Sequence, residues 1–467
     1  MAKFEELNIQ DSILKIQYSM KKITIIFCFS LLGLDFFGQT ITQKLQKAFT
    51  AFEKDSQLKH AVSSLYVIDA NTGQVVFDKN SQVGLAPAST QKIITSVTAF
   101  ELLGKDYKYK TEFGFYRNDI PVGPITVKSS GDPSFGSWRY TSTNPDTILS
   151  ILIQKAKDYG RPYSGMFQID NFNFETQTTP NGWIVEDIGN YYGAGAASFN
   201  WKENQFDLYL KSSSKIGDSV SILSVNRNKT TTLPFVSELT SAEKGSGDNA
   251  NIYLPVGNDI YMVRGTIPVN ENNFKISGAI YDAPSYFSFE IGSGYSVSRI
   301  KDPVDIFYTY YSPKLDSIIY WFNKKSINLY GEALIKTFAY EKNGFGSTDS
   351  GVAIVKRFWK EKGMDENELN IVDGSGLSPL NRVTTHAQVE ILKYATTKSW
   401  FSYFKTALPE YNGMTMKSGT IRGVKGFCGY HKAKNGKEYI YSFLVNNYNG
   451  SASALVNKMY RVLDNLK

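Results

Sequence analysis

Hydrophobic residues recur along the chain at two spacings, and each spacing predicts a different kind of secondary structure. Helical spacing, with apolar residues three and four positions apart, marks the segments 42–52, 89–103, 315–323, 329–339 and 452–466. The alternating pattern of half-buried strands marks 61–68, 74–77, 414–421, 426–432 and 439–446. The first two of these strands flank a cluster of turn formers, so they predict a β-hairpin.

The block from 105 to 300 has a different character. Clusters of Gly, Ser, Asn and Pro separate its short alternating runs, which lie at 205–211, 220–225, 259–269 and 274–280. This pattern is typical of β-structure. At 467 residues the chain is also longer than one compact core usually organises. We therefore predict an α+β fold in which helices pack on an antiparallel sheet built from 39–104 and 301–467, interrupted by a large, mostly β insertion at 105–300.

The N-terminal region has the pattern of a secretory signal. Two lysines follow Met20, an apolar run covers 23–37, and Gln39 lies where cleavage is expected. We predict that 1–38 is an upstream extension plus a signal peptide, and that the protein is exported to the periplasm or cell envelope. Residues 1–19 are then an extension or a mis-assigned start. A membrane anchor is the alternative, but a spanning helix needs about 20 apolar residues and this run is shorter.

Composition excludes several classes of function. The net charge is +7, but Lys and Arg are scattered without a long basic run, so no nucleic-acid partner is expected. Cys28 lies in the predicted signal, which leaves Cys428 as the single thiol of the mature chain and excludes an internal disulfide. Because His60, His386 and His431 lie far apart, we expect no metal site and no other cofactor.

Ser89 and Lys92 stand three residues apart at a predicted helix start, which places a hydroxyl and an amine on one face of its first turn. A desolvated lysine can take the proton of a serine and make it a nucleophile, and the helix N-terminus favours an oxyanion. The same spacing occurs elsewhere, but only Ser89 follows the small and turn-forming residues 86–88 and precedes a long apolar helix. An ordinary serine cap is the alternative.

Two further motifs follow in order. Ser326-Ile327-Asn328 lies between two predicted helices, and Lys417-Ser418-Gly419-Thr420 lies on a predicted strand. The order Ser-x-x-Lys, Ser-x-Asn, Lys-Ser/Thr-Gly resembles that of the penicillin-recognising enzymes. Taken singly, the second motif also fits a helix cap and the third an edge strand with a solvated lysine.

The sequence around the three motifs indicates which family of these enzymes the chain resembles. The sequence around these motifs, together with 130–133 and 373–378, is similar to the D-alanyl-D-alanine carboxypeptidase/endopeptidase family, the class C low-molecular-mass penicillin-binding proteins. The large insertion between Lys92 and Ser326 is typical of this family. The resemblance implies a β-lactamase/transpeptidase-like catalytic domain, peptidoglycan stem peptides as substrates and β-lactams as covalent inhibitors.

The resemblance also implies catalytic roles for individual residues. Ser89 would form the acyl-enzyme with a D-Ala-D-Ala peptide, Lys92 would act as its base, and Ser326 would relay the proton to the leaving amine. The backbone N–H groups of Ser89 and Thr420 would form the oxyanion hole.

Other residues are implied to bind substrate. Asn328 would hold the substrate amide, Lys417 and Ser418 would bind the terminal carboxylate, and Gly419 would leave room beside the strand. Asp132, in the insertion, is a candidate to meet an amino group of the stem peptide.

Three positions depart from the family pattern. Ile327 replaces a commoner Asp, Ser418 replaces Thr and keeps the hydroxyl, and Pro379 stands where many relatives resemble one another in having Arg. The last change leaves open which third stem residue is preferred. The segment 373–377 fits a tight turn as well as a chemical role.

Two other classes of function are compatible with the motifs. One is a β-lactamase or esterase on the same scaffold, against which the large insertion argues. The other is a non-catalytic wall-binding or sensing protein, against which the intact polar motifs argue. The sequence leaves open the balance of carboxypeptidase and endopeptidase action, the deacylation base, the oligomeric state and peripheral membrane association.

Overall fold

The computed structural model describes residues 40–117, 122–161, 163–226, 234–255, 260–302 and 304–467. The predicted signal, with Cys28 and the expected mature start at Gln39, lies outside the described residues. Within these ranges no helix is both long and apolar enough to cross a membrane. The same ranges hold no group of three or more His, Cys, Asp and Glu side chains that could bind a metal ion.

Helices and strands alternate irregularly along the chain. In the described residues the α-helices are α1 (Ile41–Glu53), α2 (Lys92–Leu102), α3 (Pro145–Tyr159), α4 (Val185–Ile188), α5 (Ala283–Glu290), α6 (Leu315–Lys324), α7 (Asn328–Asn343), α8 (Thr348–Glu361), α9 (Thr385–Thr396), α10 (Phe401–Ala407) and α11 (Ala452–Leu463). The strands are β1 (Val62–Asp69), β2 (Val75–Lys79), β3 (Lys110–Tyr116), β4 (Gly123–Ser129), β5 (Tyr163–Asp170), β6 (Gln205–Lys211), β7 (Ser221–Val225), β8 (Phe235–Ala242), β9 (Asn249–Tyr253), β10 (Tyr261–Pro268), β11 (Phe274–Ala279), β12 (Gly294–Val297), β13 (Val304–Tyr311), β14 (Leu369–Asn370), β15 (Arg382–Val383), β16 (Glu410–Tyr411), β17 (Met414–Ile421), β18 (Val424–Lys432) and β19 (Glu438–Asn446).

A six-stranded antiparallel sheet joins the two ends of the described chain, in the order β16-β17-β18-β19-β1-β2. β1 pairs with β19 from Val62 opposite Asn446 to Asp69 opposite Tyr439. The hairpin predicted from the sequence is confirmed, because β1 pairs antiparallel with β2. One apolar cluster of this sheet includes side chains of α1 and α11, such as Phe49 and Met459.

Helix α2 is buried on all sides from Lys92 to Phe100. Its apolar residues share a core with α6, α7 and α9, and Val97 and Phe322 are both fully buried there. Small hydroxyl residues lie among them; Thr98 satisfies its own hydroxyl by donating to the Ile94 carbonyl at 2.8 Å. Packing on every side fixes the position of α2 and therefore of Lys92.

The residues between α2 and α6 form a second set of sheets. One has five strands, β12-β5-β4-β3-β13, and two have three, β8-β10-β9 and β11-β6-β7. The segment is rich in strands, as the sequence predicts, but β5 pairs parallel with both β4 and β12, and β10 pairs parallel with β8. β13 lies beyond the predicted boundary at 300 and pairs with β3. The division into domains stays a prediction.

Helix α3 was not expected within the β-rich block, although the sequence carries its signals. The Asn144 side chain caps it, Pro145 is its first residue, and Gly160 closes it in the left-handed conformation at φ 74°. Apolar Ile148 and Leu152 of this helix are buried in the second core.

Candidate active site

Ser89 lies in a 3₁₀ turn, Ala88–Gln91, that leads directly into α2. The α-helix itself begins at Lys92, and its cap position is Gln91, so Ser89 is not the cap of this helix. Ala88 has φ 47°, which is strained for an L-residue with a side chain. A Cβ added at Gly376 would lie 2.0 Å from the Ala88 carbonyl oxygen. The loop that contains Gly376 therefore packs directly against the turn that presents Ser89.

Three oxygen atoms surround the amine of Lys92. Its Nζ lies 2.9 Å from Ser89 Oγ, 2.7 Å from Asn328 Oδ1 and 2.8 Å from the Ser375 carbonyl oxygen. The amide and carbonyl oxygens can only accept hydrogen bonds, whereas the Ser89 hydroxyl can also donate. These oxygens satisfy either protonation state: an ammonium donates to all three, whereas a neutral amine donates to the two obligate acceptors and keeps its lone pair for the Ser89 hydroxyl.

The surroundings of Lys92 favour this neutral form. Burial lowers the pKa of its amine well below the ordinary value, and the charge of Lys417 lowers it further, against the carboxylates of Asp373 and Glu332. The orientation of Asn328 is also fixed, because its Nδ2 donates to the Tyr192 carbonyl at 2.8 Å and leaves Oδ1 for Lys92.

Lys417 is the second buried amine. Its Nζ donates to Ser326 Oγ at 3.0 Å and to the Ser418 carbonyl at 2.8 Å. Burial lowers the pKa of Lys417 to about 7. Ser326 has φ 55° and lies just before α7, whose cap position is Ile327 without a side-chain cap hydrogen bond. Ser326 and Asn328 therefore face the two amines and do not cap the helix.

A cleft of about 710 Å³ opens over these groups. Of the residues predicted from the sequence, Ser89, Ser326, Asn328 and Thr420 line it, and the amines of Lys92 and Lys417 are buried beneath. Strand β17 runs along one side. A Cβ at Gly419 would lie 2.6 Å from the Pro87 carbonyl oxygen and 2.9 Å from the Ser89 nitrogen, so only glycine permits this approach of strand and turn. Ser418 lies on the same strand and is half-buried.

A model of the D-Ala-D-Ala carboxypeptidase 3 (S13) family matches residues 45–466. The chain belongs to this family. It is a serine D-alanyl-D-alanine carboxypeptidase of the penicillin-binding type, as the resemblance of the motifs implied. The carboxypeptidase is 24% identical over 474 residues to a D-alanyl-D-alanine carboxypeptidase of Actinomadura sp. (strain R39), which covers 90% of this chain and 84% of the relative. It is 21% identical to D-alanyl-D-alanine carboxypeptidase DacB of Haemophilus influenzae, over 81% of this chain and 84% of that protein.

Solved structures confirm the fold of the carboxypeptidase. Penicillin binding protein 4 (dacB) from Haemophilus influenzae superimposes with a TM-score of 0.75 at 18% identity, and the match covers 92% of this chain and 99% of that one. The same protein complexed with a β-lactam gives a TM-score of 0.69 at 17% identity. The predicted α+β class, with its antiparallel sheet and packed helices, is therefore confirmed.

The loop 373–378 of the carboxypeptidase has a structural role that the sequence left undecided. Asp373 is fully buried, and it accepts hydrogen bonds from the Gly376 and Ser378 nitrogens at 2.8 and 2.7 Å and from Trp183 Nε1 at 3.0 Å. These contacts favour the tight-turn interpretation of this segment. The loop also supplies the Ser375 carbonyl that meets Lys92.

Glu332 on α7 holds this loop through hydrogen bonds to its backbone. No role was assigned to it from the sequence. Its two carboxylate oxygens accept from the Gly374 nitrogen at 3.0 Å and the Ser375 nitrogen at 2.9 Å. Burial and the neighbouring Asp373 raise the pKa of Glu332 to about 8. The sequence signal was its position four residues after Asn328, which places both side chains on one face of the predicted helix.

Asp132 does not lie in the cleft, contrary to the sequence-based expectation. It is 1% exposed, and its Oδ1 accepts from the nitrogen and hydroxyl of Ser134 at 2.8 and 2.6 Å. The turn that contains it faces inward, toward the buried tyrosines Tyr109 and Tyr310. Two carboxylates of the insertion do line the cleft: Asp187, on the short helix α4, and Glu203, which is paired with Arg139 at 2.8 Å.

Asp132→Asn is expected to stabilise the protein at pH 8. Burial raises the pKa of Asp132 to about 6, above the value near 3.9 of an unfolded chain. The folded state then binds a proton that the unfolded state releases, so stability falls as pH rises from about 4 to about 6. Asparagine keeps the acceptor for Ser134 without the charge, and a gain of about 1–3 kcal/mol is expected from a shift of this size.

Urea unfolding at pH 4, 6 and 8 measures this effect. The loss of stability between pH 4 and 6 should be smaller in the variant than in the wild type, and equal losses would contradict the assignment. Steady-state kinetics on a D-Ala-D-Ala peptide provide the second readout. A raised KM in Asp132→Asn would return this residue to the substrate site.

Proposed function

We propose that Ser89 is the acylated nucleophile of this carboxypeptidase and that Lys92 is its base. In the first step Lys92 accepts the hydroxyl proton while Ser89 Oγ bonds to the carbonyl carbon of the D-Ala-D-Ala peptide bond. The resulting oxyanion is stabilised by the backbone N–H groups of Ser89 and Thr420. The carbon–nitrogen bond then breaks, the leaving D-alanine takes a proton through Ser326, and the acyl group stays on Ser89. Water releases it in a second step.

A single observation carries this proposal: the Lys92 amine, whose pKa is lowered well below its ordinary value by burial, lies 2.9 Å from Ser89 Oγ. An ammonium in the same place could not take the proton. Lys417 Nζ donates to Ser326 Oγ at 3.0 Å. The Ser326 hydroxyl can therefore give its proton to the leaving amine and take up another in return.

We assign binding of the substrate mainly to the wall of the cleft that strand β17 forms. Lys417, with the Ser418 and Thr420 side chains, supplies the positive field and hydroxyl groups that suit the terminal carboxylate. Asn328 holds the amide of the residue that is acylated, and the absence of a side chain at Gly419 lets the peptide lie beside β17. Asp187 offers a carboxylate to an amino group farther along the stem peptide.

The same attack explains reaction with β-lactams. A β-lactam presents a strained amide and a carboxylate at the positions of the peptide bond and the terminal carboxylate. Ring opening leaves the amine tethered to the acyl group, so it does not diffuse away as D-alanine does. Such compounds should therefore acylate Ser89 and remain attached.

Labelling with a fluorescent penicillin, followed by peptide mapping, tests the proposal. The label is expected on the peptide that contains Ser89, and release of D-alanine from a D-Ala-D-Ala peptide should stop as the label is incorporated. A label on another residue, or release of D-alanine from fully labelled protein, would refute the mechanism. Turnover of a chromogenic β-lactam faster than that of the peptide would instead favour the β-lactamase alternative.

We also propose that the protein is exported and acts on the peptidoglycan of the cell envelope. The basic, apolar and cleavage regions that follow Met20 support export, and the family acts on a cell-wall bond. The N-terminal sequence of the labelled protein, recovered from an envelope fraction, checks the expected cleavage near Gln39.

A further inference from the structure

A second depression, of about 530 Å³, lies beside the cleft on the outer side of α6 and α10. Four aromatic residues line it, and we refer to it as the aromatic groove: Tyr140, Tyr320, Trp321 and Tyr403. Tyr403 is 44% exposed, and Tyr320, Trp321 and Tyr140 are half-buried. Aromatic rings of this size are usually covered in a protein that has no use for them at its surface.

Hydroxyl groups accompany the rings. Ser402 and Thr406 of α10 also line the groove. Within the described residues, the hydroxyls of Ser402, Thr406, Tyr320 and Tyr403 take part in none of the hydrogen bonds of the protein, so all four are available to a ligand. Flat apolar faces combined with free hydroxyl groups suit a sugar ring, which presents C–H groups on its faces and hydroxyls at its edge.

The aromatic groove is continuous with the cleft. Arg139 lines the cleft, and its guanidinium lies 5.6 Å from the centre of the Trp321 ring in the groove. The next residue, Tyr140, lines the groove and donates to the Ser317 carbonyl of α6 at 3.1 Å. Arg139 is itself fixed by a 2.8 Å bond to Glu203. A ligand that fills the cleft can therefore extend across Arg139 onto the rings.

The dimensions agree with the structure of the substrate. A helix rises about 1.5 Å per residue, so the groove end of α6, at Ser317, lies about 10 Å from the cleft end at Lys324. An extended peptide spans about 3.3–3.6 Å per residue, so the three or four stem residues before the scissile bond cover about 10–14 Å. The sugar that carries the stem peptide would then lie at the distance of the groove.

We propose that the aromatic groove binds the glycan strand to which the stem peptide is attached. This inference rests on the proposed function, because it takes the reacting peptide to lie in the cleft at Ser89. The groove would raise the affinity for peptidoglycan fragments that retain their sugars and would not act on a free peptide.

Kinetics on two matched substrates test the proposal. One is a free stem peptide ending in D-Ala-D-Ala, and the other is the same peptide on its disaccharide. In the wild type, kcat/KM is expected to be at least 10-fold higher for the disaccharide peptide. Tyr403→Ala is expected to lower this ratio toward one through KM, since the loss of one aromatic contact of this kind typically costs a factor of about 10.

Two further variants sharpen the result. Tyr403→Phe keeps the ring and removes the hydroxyl, so it separates stacking from hydrogen bonding. Tyr281→Ala removes a tyrosine that is 65% exposed on the insertion and should leave the ratio as it is in the wild type. Equal rates on the two substrates in the wild type, or a ratio that Tyr403→Ala does not change, would overturn the proposal. If neither substrate is cleaved, the proposed function itself fails.

Discussion

Lys92→Met is expected to slow the acylation of Ser89 by about 10³-fold, within the range of 10²–10⁴ that general base catalysis contributes. Methionine fills much of the same buried space but cannot accept a proton. The Ser89 hydroxyl would then face no base, since the remaining partners of the site are the Asn328 amide and the Ser375 carbonyl. Stopped-flow or gel measurement of the rate of penicillin labelling gives the acylation rate directly.

Lys92→Arg is the informative control for this prediction. Arginine keeps a positive charge and hydrogen-bond donors, but its pKa above 12 prevents it from acting as a base. If Lys92 is a base, the arginine variant should be as slow as the methionine variant. Labelling of Lys92→Arg within 10-fold of the wild-type rate would show that the amine acts through its charge and would remove the base from the mechanism.

Lys417→Met is expected to lower kcat/KM by about 10²-fold for a peptide with a free terminal carboxylate, because a hydrogen bond to a charged group is removed. The loss should be smaller for the same peptide with an amidated C-terminus. The fold should stay intact, since replacing a buried amine by an apolar side chain of similar volume removes a desolvation cost. Equal losses on the two peptides would contradict the role in carboxylate binding, and a thermal melt checks the fold.

The pH dependence separates the two amines. Burial lowers the pKa of Lys417 to about 7, so its charge is present below this pH and is lost above it in the free enzyme. If Lys92 is the base it must be neutral, and burial lowers its pKa well below the ordinary value, so its contribution rises with pH. We expect a bell-shaped profile of kcat/KM, whose alkaline limb near pH 7 is missing in Lys417→Met.

The main elements of the catalytic region were predictable because their patterns are local. Strand β17 has the bounds that alternation gave, as does β6 in the insertion, and α6 extends the predicted 315–323 by one residue. The structure also brings the motif residues together: Ser89, Lys92, Ser326, Asn328 and Lys417 surround one cleft, and their catalytic roles stay a prediction. The order of the three motifs along the chain was enough to predict that these residues converge. Each motif lies on a different element, and the elements pack together.

The partners of these residues were harder to predict, because they depend on packing between distant segments. The Ser375 carbonyl carries no side-chain signal, and its position is set by Glu332, which a helical pattern shows only as another buried residue. Whether Asp132 reaches the cleft depended on which turn of the insertion faces it, and the sequence did not single out Asp187. The alternation of apolar and polar residues within one strand likewise does not show that β4 pairs parallel with β5.

The pairing of β1 with β19 makes the site at Ser89 depend on segments that lie far apart in the chain. β1 is translated early, but its neighbour β19 is translated only after the insertion and helices α6 to α10. Until then the six-stranded sheet has only the β1–β2 hairpin, and such an isolated hairpin is at best marginally stable in water. The turn that carries Ser89 acquires its final surroundings only after Lys417 and β19 have been translated, so a shorter nascent chain lacks the second amine of the site.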